Sequence, residues 1–140
     1  AFVVRTALTP LYERAAAPHR HAVADGAWGR GVCPVCGSEP ALGRLALPDG
    51  RRMLFCALCR IEWPFERLRC PFCRDPDGTG PQLRFFTAGG DQARRVECCD
   101  RCMRYLKTVD ERVDGRRANL PLEEVVTAHL DAAATARGYR

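Results

Sequence analysis

Eight of the nine cysteines fall into four C-x-x-C units, Cys33/Cys36, Cys56/Cys59, Cys70/Cys73 and Cys99/Cys102, all within 70 residues. One such unit carries little information, because thiol redox enzymes use it too. Four in succession are the signature of metal binding by thiolates. Disulfides are the competing use. The N-terminal AFVVRTALTP lacks the basic-then-apolar layout of an export signal, and reducing compartments keep thiols free. An odd number of cysteines also leaves one unpaired in any all-disulfide scheme. The chain starts without Met, so a fragment or processed product is expected, and no apolar run approaches the roughly 18 residues a membrane span needs.

The order in which the four units meet decides the architecture. Arg44–Leu47 and Met53–Phe55 are short apolar runs around Pro48-Asp49-Gly50, a good turn sequence, and predict a hairpin between Cys36 and Cys56. Leu83–Thr87 and Ala93–Glu97 flank Gly89-Gly90 and predict a second hairpin between Cys73 and Cys99. Each hairpin brings its flanking units together at its open end. The expected ligand sets are therefore Cys33, Cys36, Cys56 and Cys59 around one ion, and Cys70, Cys73, Cys99 and Cys102 around another. The rival pairing closes Cys56/Cys59 on Cys70/Cys73 across Arg60–Arg69, a stretch with Trp63-Pro64 and no glycine for a tight reversal. Turn chemistry favours pairing in chain order. Two metal ions, iron or zinc, each in a four-cysteine site, are the expected cofactors.

The fold class this predicts is small, metal-bound β: two tandem rubredoxin-like or zinc-ribbon modules flanked by short N-terminal and C-terminal helices. The expected units are a helical segment over 1–30, a first ribbon over 31–67, a second over 68–109, and a linker with terminal helix over 110–140. At the front, Thr9-Pro10 reads as a helix cap followed by proline in the first turn, and Pro18 as a stop or restart. His19 and His21 are two apart and fall on different helix faces, so they are read as solvated. Asp110–Asn119 is polar and reads as a linker. Residues 121–136 read as a helix whose buried stripe is Leu122, Val125, Val126, Leu130 and Ala133, with His129 beside it and Gly138 as the stop.

The two-residue spacing has a chemical purpose. The chain turns sharply so that both sulfurs face one ion, and amides beyond the first cysteine can donate to the thiolate. Pro34 and Pro71 pre-set the turn, and Gly37 permits a positive φ after Cys36. Arg60, Arg74 and Met103 hold the equivalent places elsewhere, so those turns are expected to be strained or differently shaped. The ninth thiol, Cys98, is read as a small buried strand residue, with Cys99 as the ligand on spacing.

Charge narrows the function. The formal +5 treats cysteines as neutral. Eight thiolates and two divalent ions together carry −4 and leave about +1, while two ferric ions leave about +3. A nearly neutral loaded protein is a poor candidate for nucleic-acid binding by bulk charge. A nucleic-acid-binding zinc ribbon is still an alternative, with Arg51-Arg52, Arg94-Arg95 and Arg116-Arg117 on phosphates and Phe85-Phe86 stacked on bases. A rubredoxin-like electron carrier is another. Trp63 and Phe65, beside Cys59, are either exposed anchors for a partner or packing between the ribbons, and small modules favour packing. No phosphate loop, nucleophile elbow or spaced His/Glu site is present, so the chain reads as a non-enzyme. Glu123-Glu124 at a helix start is explained by the helix dipole.

CPVCGSEP (33–40), CALCRIEW (56–63), RLRCPFC (67–73) and ECCDRCMRYLKTVD (97–110) resemble, in order, the FdhE family of formate dehydrogenase accessory proteins. The resemblance covers the cysteine region and the terminal helix. Family members carry a longer helical region before CPVCGS, of which residues 1–30 match only the last part. The resemblance implies a cytoplasmic, non-catalytic assembly factor that contacts the catalytic subunit of a respiratory formate dehydrogenase, with the eight paired cysteines as ligands of a rubredoxin-like metal. A homodimer is left open.

A module of about 40 residues has too little core to fold alone, whereas a structural zinc site can supply roughly 10–16 kcal/mol. Complete chelation is therefore expected to unfold residues 31–109, read as loss of native circular dichroism and of resistance to proteolysis.

Overall fold

A computed structural model of the protein describes residues 2–23, 27–73 and 83–140. Both predicted hairpins are present. Strands β1 (Leu42–Ala46) and β2 (Arg51–Phe55) pair antiparallel, and β2 continues to a short β3 (Glu62–Pro64). The turn between β1 and β2 closes with Gly50 N donating to Ala46 O at 2.7 Å and Arg51 N donating to Asp49 Oδ1 at 2.9 Å. Strands β4 (Arg84–Thr87), β5 (Arg94–Cys99) and β6 (Arg104–Asp110) form the second antiparallel set.

The two ribbons share one sheet. β1 and β6 run parallel, with Leu42 opposite Lys107 and Leu45 opposite Asp110, and give the strand order β3-β2-β1-β6-β5-β4. Each strand would otherwise present a row of unpaired amides and carbonyls, and joining the two edges satisfies both. Leu54, Trp63 and Leu106 pack on one side with the first cysteine group, Ala16 and Trp28. Elsewhere Val96 and Cys98 pack against Leu130 and Ala134, and Leu42 and Phe55 against Leu120. Trp63 is fully buried, its Nε1 donating to Arg30 O at 2.9 Å, and Phe65 is buried beside it. The packing role expected of both is the one they have.

Several local expectations need correction. Helix α1 (Phe2–Ala16) runs through Pro10, so Thr9 is not a cap. Its Oγ1 donates back to Arg5 O at 2.9 Å, and burial of Thr9 and Ala16 holds the helix across the amide that proline lacks. Pro18 does mark a change, to a 3₁₀ turn (Ala17–His19) and then α2 (Arg20–Val23), with His19 and His21 exposed. The polar stretch after β6 is not a loose linker. Asp110 caps α3 (Glu111–Asp114), and buried Glu111 accepts from Arg44 Nη1 at 3.0 Å, Leu47 N at 3.3 Å and Ala118 N at 2.9 Å.

The terminal helix is two helices, α4 (Leu120–Val126) and α5 (Ala128–Ala136), broken at Thr127. Leu122 and Val125 of the expected stripe are 55% and 70% exposed. The buried positions are Leu120, Glu123, Thr127, Leu130 and Ala134, a stripe of the right period that hydropathy ranking skips because two members are polar. Glu123 is inside because Arg94 meets it with Nε at 2.7 Å and Nη2 at 2.6 Å; this pairing is the main cause that raises the Arg94 pKa. Gly138 follows α5 at φ +86°, as expected of a stop.

Gly31 is the tightest point. A Cβ there would lie 1.8 Å from Pro71 O, so the backbone entering the first cysteine unit abuts the third unit directly. Gly31→Ala must push the two apart and is expected to destabilise the metal-loaded protein by about 2–3 kcal/mol, measured as a lower denaturant midpoint at unchanged slope.

Candidate metal centres

Among the described residues, three of the four C-x-x-C units are seen as knuckles closed by their own backbone. Gly37 N donates to Cys33 O at 3.0 Å, Arg60 N to Cys56 O at 3.0 Å and Met103 N to Cys99 O at 2.9 Å. The donor residue is left-handed in all three, at φ +72°, +59° and +54°. Glycine takes that conformation freely, whereas Arg60 and Met103 carry a cost of about 1–2 kcal/mol each. The strain expected at both positions is therefore real, and the knuckle is conserved in shape despite it. Arg74, the fourth equivalent, lies outside the described residues.

The hairpins bring the knuckles together in chain order. Sγ of Cys33 lies 3.4 Å from Sγ of Cys59, and Cys36 lies 3.5 Å from Cys56. In the second group Cys70 is 3.8 Å from Cys102 and Cys73 is 3.5 Å from Cys99. All four sulfurs within each group lie within 4.8 Å of one another. None is a disulfide, since all nine cysteines are free. A tetrahedral ion with metal–sulfur bonds of about 2.3 Å separates its ligands by about 3.8 Å, which matches the spacing here. The rival pairing of Cys56/Cys59 with Cys70/Cys73 does not occur. Four thiolate donors at these distances suit zinc or iron.

Amides point into both groups. The N–H groups of Cys59 and Leu58 face Cys56, that of Ile61 faces Cys59, and those of Phe72 and Cys73 face Cys70. Each favours the thiolate. Against them, burial and the neighbouring sulfurs oppose ionisation at Cys56, Cys59, Cys70 and Cys73. Hydrogen bonding with Cys33, then burial, pushes the Cys56 thiol up; burial pushes Cys59 to about 12 and Cys70 to about 11, and also raises Cys73. Burial acts on Cys99 in the same sense, but the amides of Cys102 and Arg101 and the bond with Cys73 outweigh it and hold that thiol below its ordinary value.

Cys98 belongs to neither group. It is buried with Val96, Leu130 and Ala134, and burial pushes its thiol to about 11. The paired arginines proposed for phosphates are largely committed elsewhere. Arg52 is buried, its Nη2 2.6 Å from Glu97 Oε2 and its Nη1 donating to the carbonyls of Glu66, Arg67 and Arg69 at 3.2, 3.5 and 2.7 Å. Arg94 is held by Glu123, and Arg95 Nη2 donates to Glu97 at 2.8 Å. Arg116 and Arg117 are exposed. Phe85 is exposed but lies under the Arg95 guanidinium, and Phe86 under that of Arg137.

Sequence reasoning missed the clasp made by Arg52 and Glu97, and the docking of the last residues on the fourth knuckle. There Tyr139 Oη donates to Asp100 Oδ1 at 2.6 Å and Arg140 N to Met103 O at 2.9 Å. A signal for Arg52 was present: it alternates with Leu54 on β2 and so falls on the core face. Nothing in the sequence marks Tyr139.

Fold and sites together define a protein of the zinc-ribbon and rubredoxin-like kind with two centres of four cysteines each, each centre able to hold one metal ion. Residues 32–67 match the family described as FdhE, central domain. The chain is 30% identical over 115 residues to the FdhE homolog of Aquifex aeolicus, covering 80% of this chain and 40% of that protein. It is 31% identical over 113 residues to FdhE of Escherichia coli, covering 79% of this chain and 35% of that protein. The crystal structure of FdhE from Pseudomonas aeruginosa superposes on 97% of this chain and 47% of its own length, with a TM-score of 0.79 at 26% identity. The three comparisons support the FdhE family for this chain, which spans less than half the length of these relatives.

Metal entry must displace the protons that the crowded thiols retain. The raised thiols of Cys56 and Cys59 hold their protons at neutral pH. Acid therefore opposes loading, and the protons on these two sulfurs alone lower the apparent affinity of the first centre by at least about 100-fold for each unit of falling pH. Chelator competition between pH 8 and pH 6 measures this slope.

Proposed function

We propose that the chain is the metal-binding portion of a formate dehydrogenase accessory protein. In this reading Cys33, Cys36, Cys56 and Cys59 hold one ion within 31–67, and Cys70, Cys73, Cys99 and Cys102 hold another within 68–109. The portion is non-catalytic. It acts by contacting the catalytic subunit of a respiratory formate dehydrogenase during maturation, in the cytoplasm.

The observation that carries this is the pair of preformed four-sulfur groups in a chain of the FdhE family. Metal supplies stability and shape to the sheet, which is what a docking protein of this size needs. Trp63 and Phe65 are buried, so partner contact falls to other groups. No helix among the described residues is long and apolar enough to cross a membrane.

The test uses the full-length protein in a strain lacking it. Wild type is expected to restore formate dehydrogenase activity and to co-purify with the catalytic subunit. Cys56→Ser, which removes one ligand, is expected to lose both. Full enzyme activity in the strain without the protein overturns the proposal.

A further inference from the structure

The two centres are built from the same knuckle, but their surroundings differ. Around the first, Cys33, Cys56 and Cys59 are members of an apolar cluster with Ala16, Leu54, Trp63, Phe65 and Leu106, and Cys36 packs against it. Cys33, Cys56 and Cys59 are at most 1% exposed. None of the four cysteines of the second centre belongs to an apolar cluster of the described residues, and two of them, Cys73 and Cys102, are only half-buried, against Cys36 alone at the first.

Charge differs in the same sense. Arg104, bidentate to Glu39 at 2.6 and 2.5 Å and stacked 4.0 Å over Phe72, acts on both Cys70 and Cys102, and Arg52 acts on Cys70. A cavity of about 400 Å³ is lined by Cys70 and Cys73 together with Arg30, Glu39, Phe65 and Arg69. Its wall is mixed, with Arg30, Glu39 and Arg69 beside Val32, Phe65 and Phe72, and it gives solvent and small solutes an approach to the second centre.

We propose that the centres divide the work: the first is a permanent structural site, and the second is an exchange site whose ion enters and leaves through this cavity. The reason is kinetic. Metal leaves a thiolate cage by stepwise replacement of ligands, by water, protons or a competing chelator, and each step needs access to a sulfur. Apolar walls deny that access at Cys33, Cys56 and Cys59. At the second centre the fourth knuckle, besides its β5–β6 pairing and the Arg84–Asp100 ion pair at 2.8 Å, is tied down by the segment Arg137–Arg140, through the Tyr139–Asp100 and Arg140–Met103 hydrogen bonds. This inference rests on the metal-holding part of the proposed function and is independent of formate dehydrogenase.

The experiment loads the protein with two equivalents of Zn²⁺ and challenges it with excess EDTA, following release with time. Two phases of one ion each are expected, the fast at least about tenfold faster than the slow. Cys73→Ser and Cys102→Ser are expected to lose the fast ion and keep the slow one. Tyr139→Phe leaves every sulfur in place and is expected to accelerate the fast phase alone, by about 3- to 10-fold. Release of both ions in one phase overturns the division of work, as does a Tyr139→Phe effect on the slow phase. Uptake of fewer than two ions overturns the metal assignment itself and the inference with it, whereas either result leaves the partner assignment to its own test.

Discussion

Four thiolates held within 4.8 Å of one another repel strongly unless a cation lies among them. That constraint organises the protein. The knuckle amides favour the negative sulfur, but at Cys56, Cys59, Cys70 and Cys73 burial and the bonds between neighbouring sulfurs outweigh them and raise the thiol pKa. A bound ion turns the least favourable feature of the chain into its strongest tie. The left-handed strain at Arg60 and Met103 is tolerated for the same reason, being small beside the energy of metal coordination.

Three contacts then convert two metal ribbons into one body. The parallel pairing of β1 with β6 joins their edges. The approach of Gly31 to Pro71 sets one knuckle region against another at backbone distance. Arg52 reaches from β2 to three carbonyls of the segment before Cys70 and to Glu97 on β5. Burial lowers the Arg52 pKa, with Glu97 opposing that shift. Such a pair adds little net stability, but removing one partner strands a buried charge at about 3–5 kcal/mol. Its consequence here is registration of the two halves.

Polar residues recur at positions that hydropathy assigns to the surface. Glu111, Glu123 and Thr127 are buried because each has a partner fixed by the fold: Arg44 and two amides, Arg94, and the Glu123 carbonyl. This is why the stretch 110–119 was legible only as a linker and why the helical stripe was displaced by a few residues. The same arginines that suggest phosphate binding in the linear chain are counterions of buried acids, Arg94 of Glu123 and both Arg52 and Arg95 of Glu97.

What the sequence determined by itself was local: the four knuckles, the turns at Pro48-Asp49-Gly50 and Gly89-Gly90, and hence which cysteines meet. Those follow from steric and hydrogen-bonding rules that act over a few residues, and they suffice to locate both metal centres. Only the tertiary structure decided that the ribbons fuse through β1 and β6, that Arg52 and Glu97 close across the sheet, and that the first centre lies in an apolar cluster while the second faces a cavity. These depend on contacts between residues tens of positions apart, where chain order carries no distance information. The same two-residue spacing within every cysteine pair therefore gives two sites with the same ligands and different surroundings.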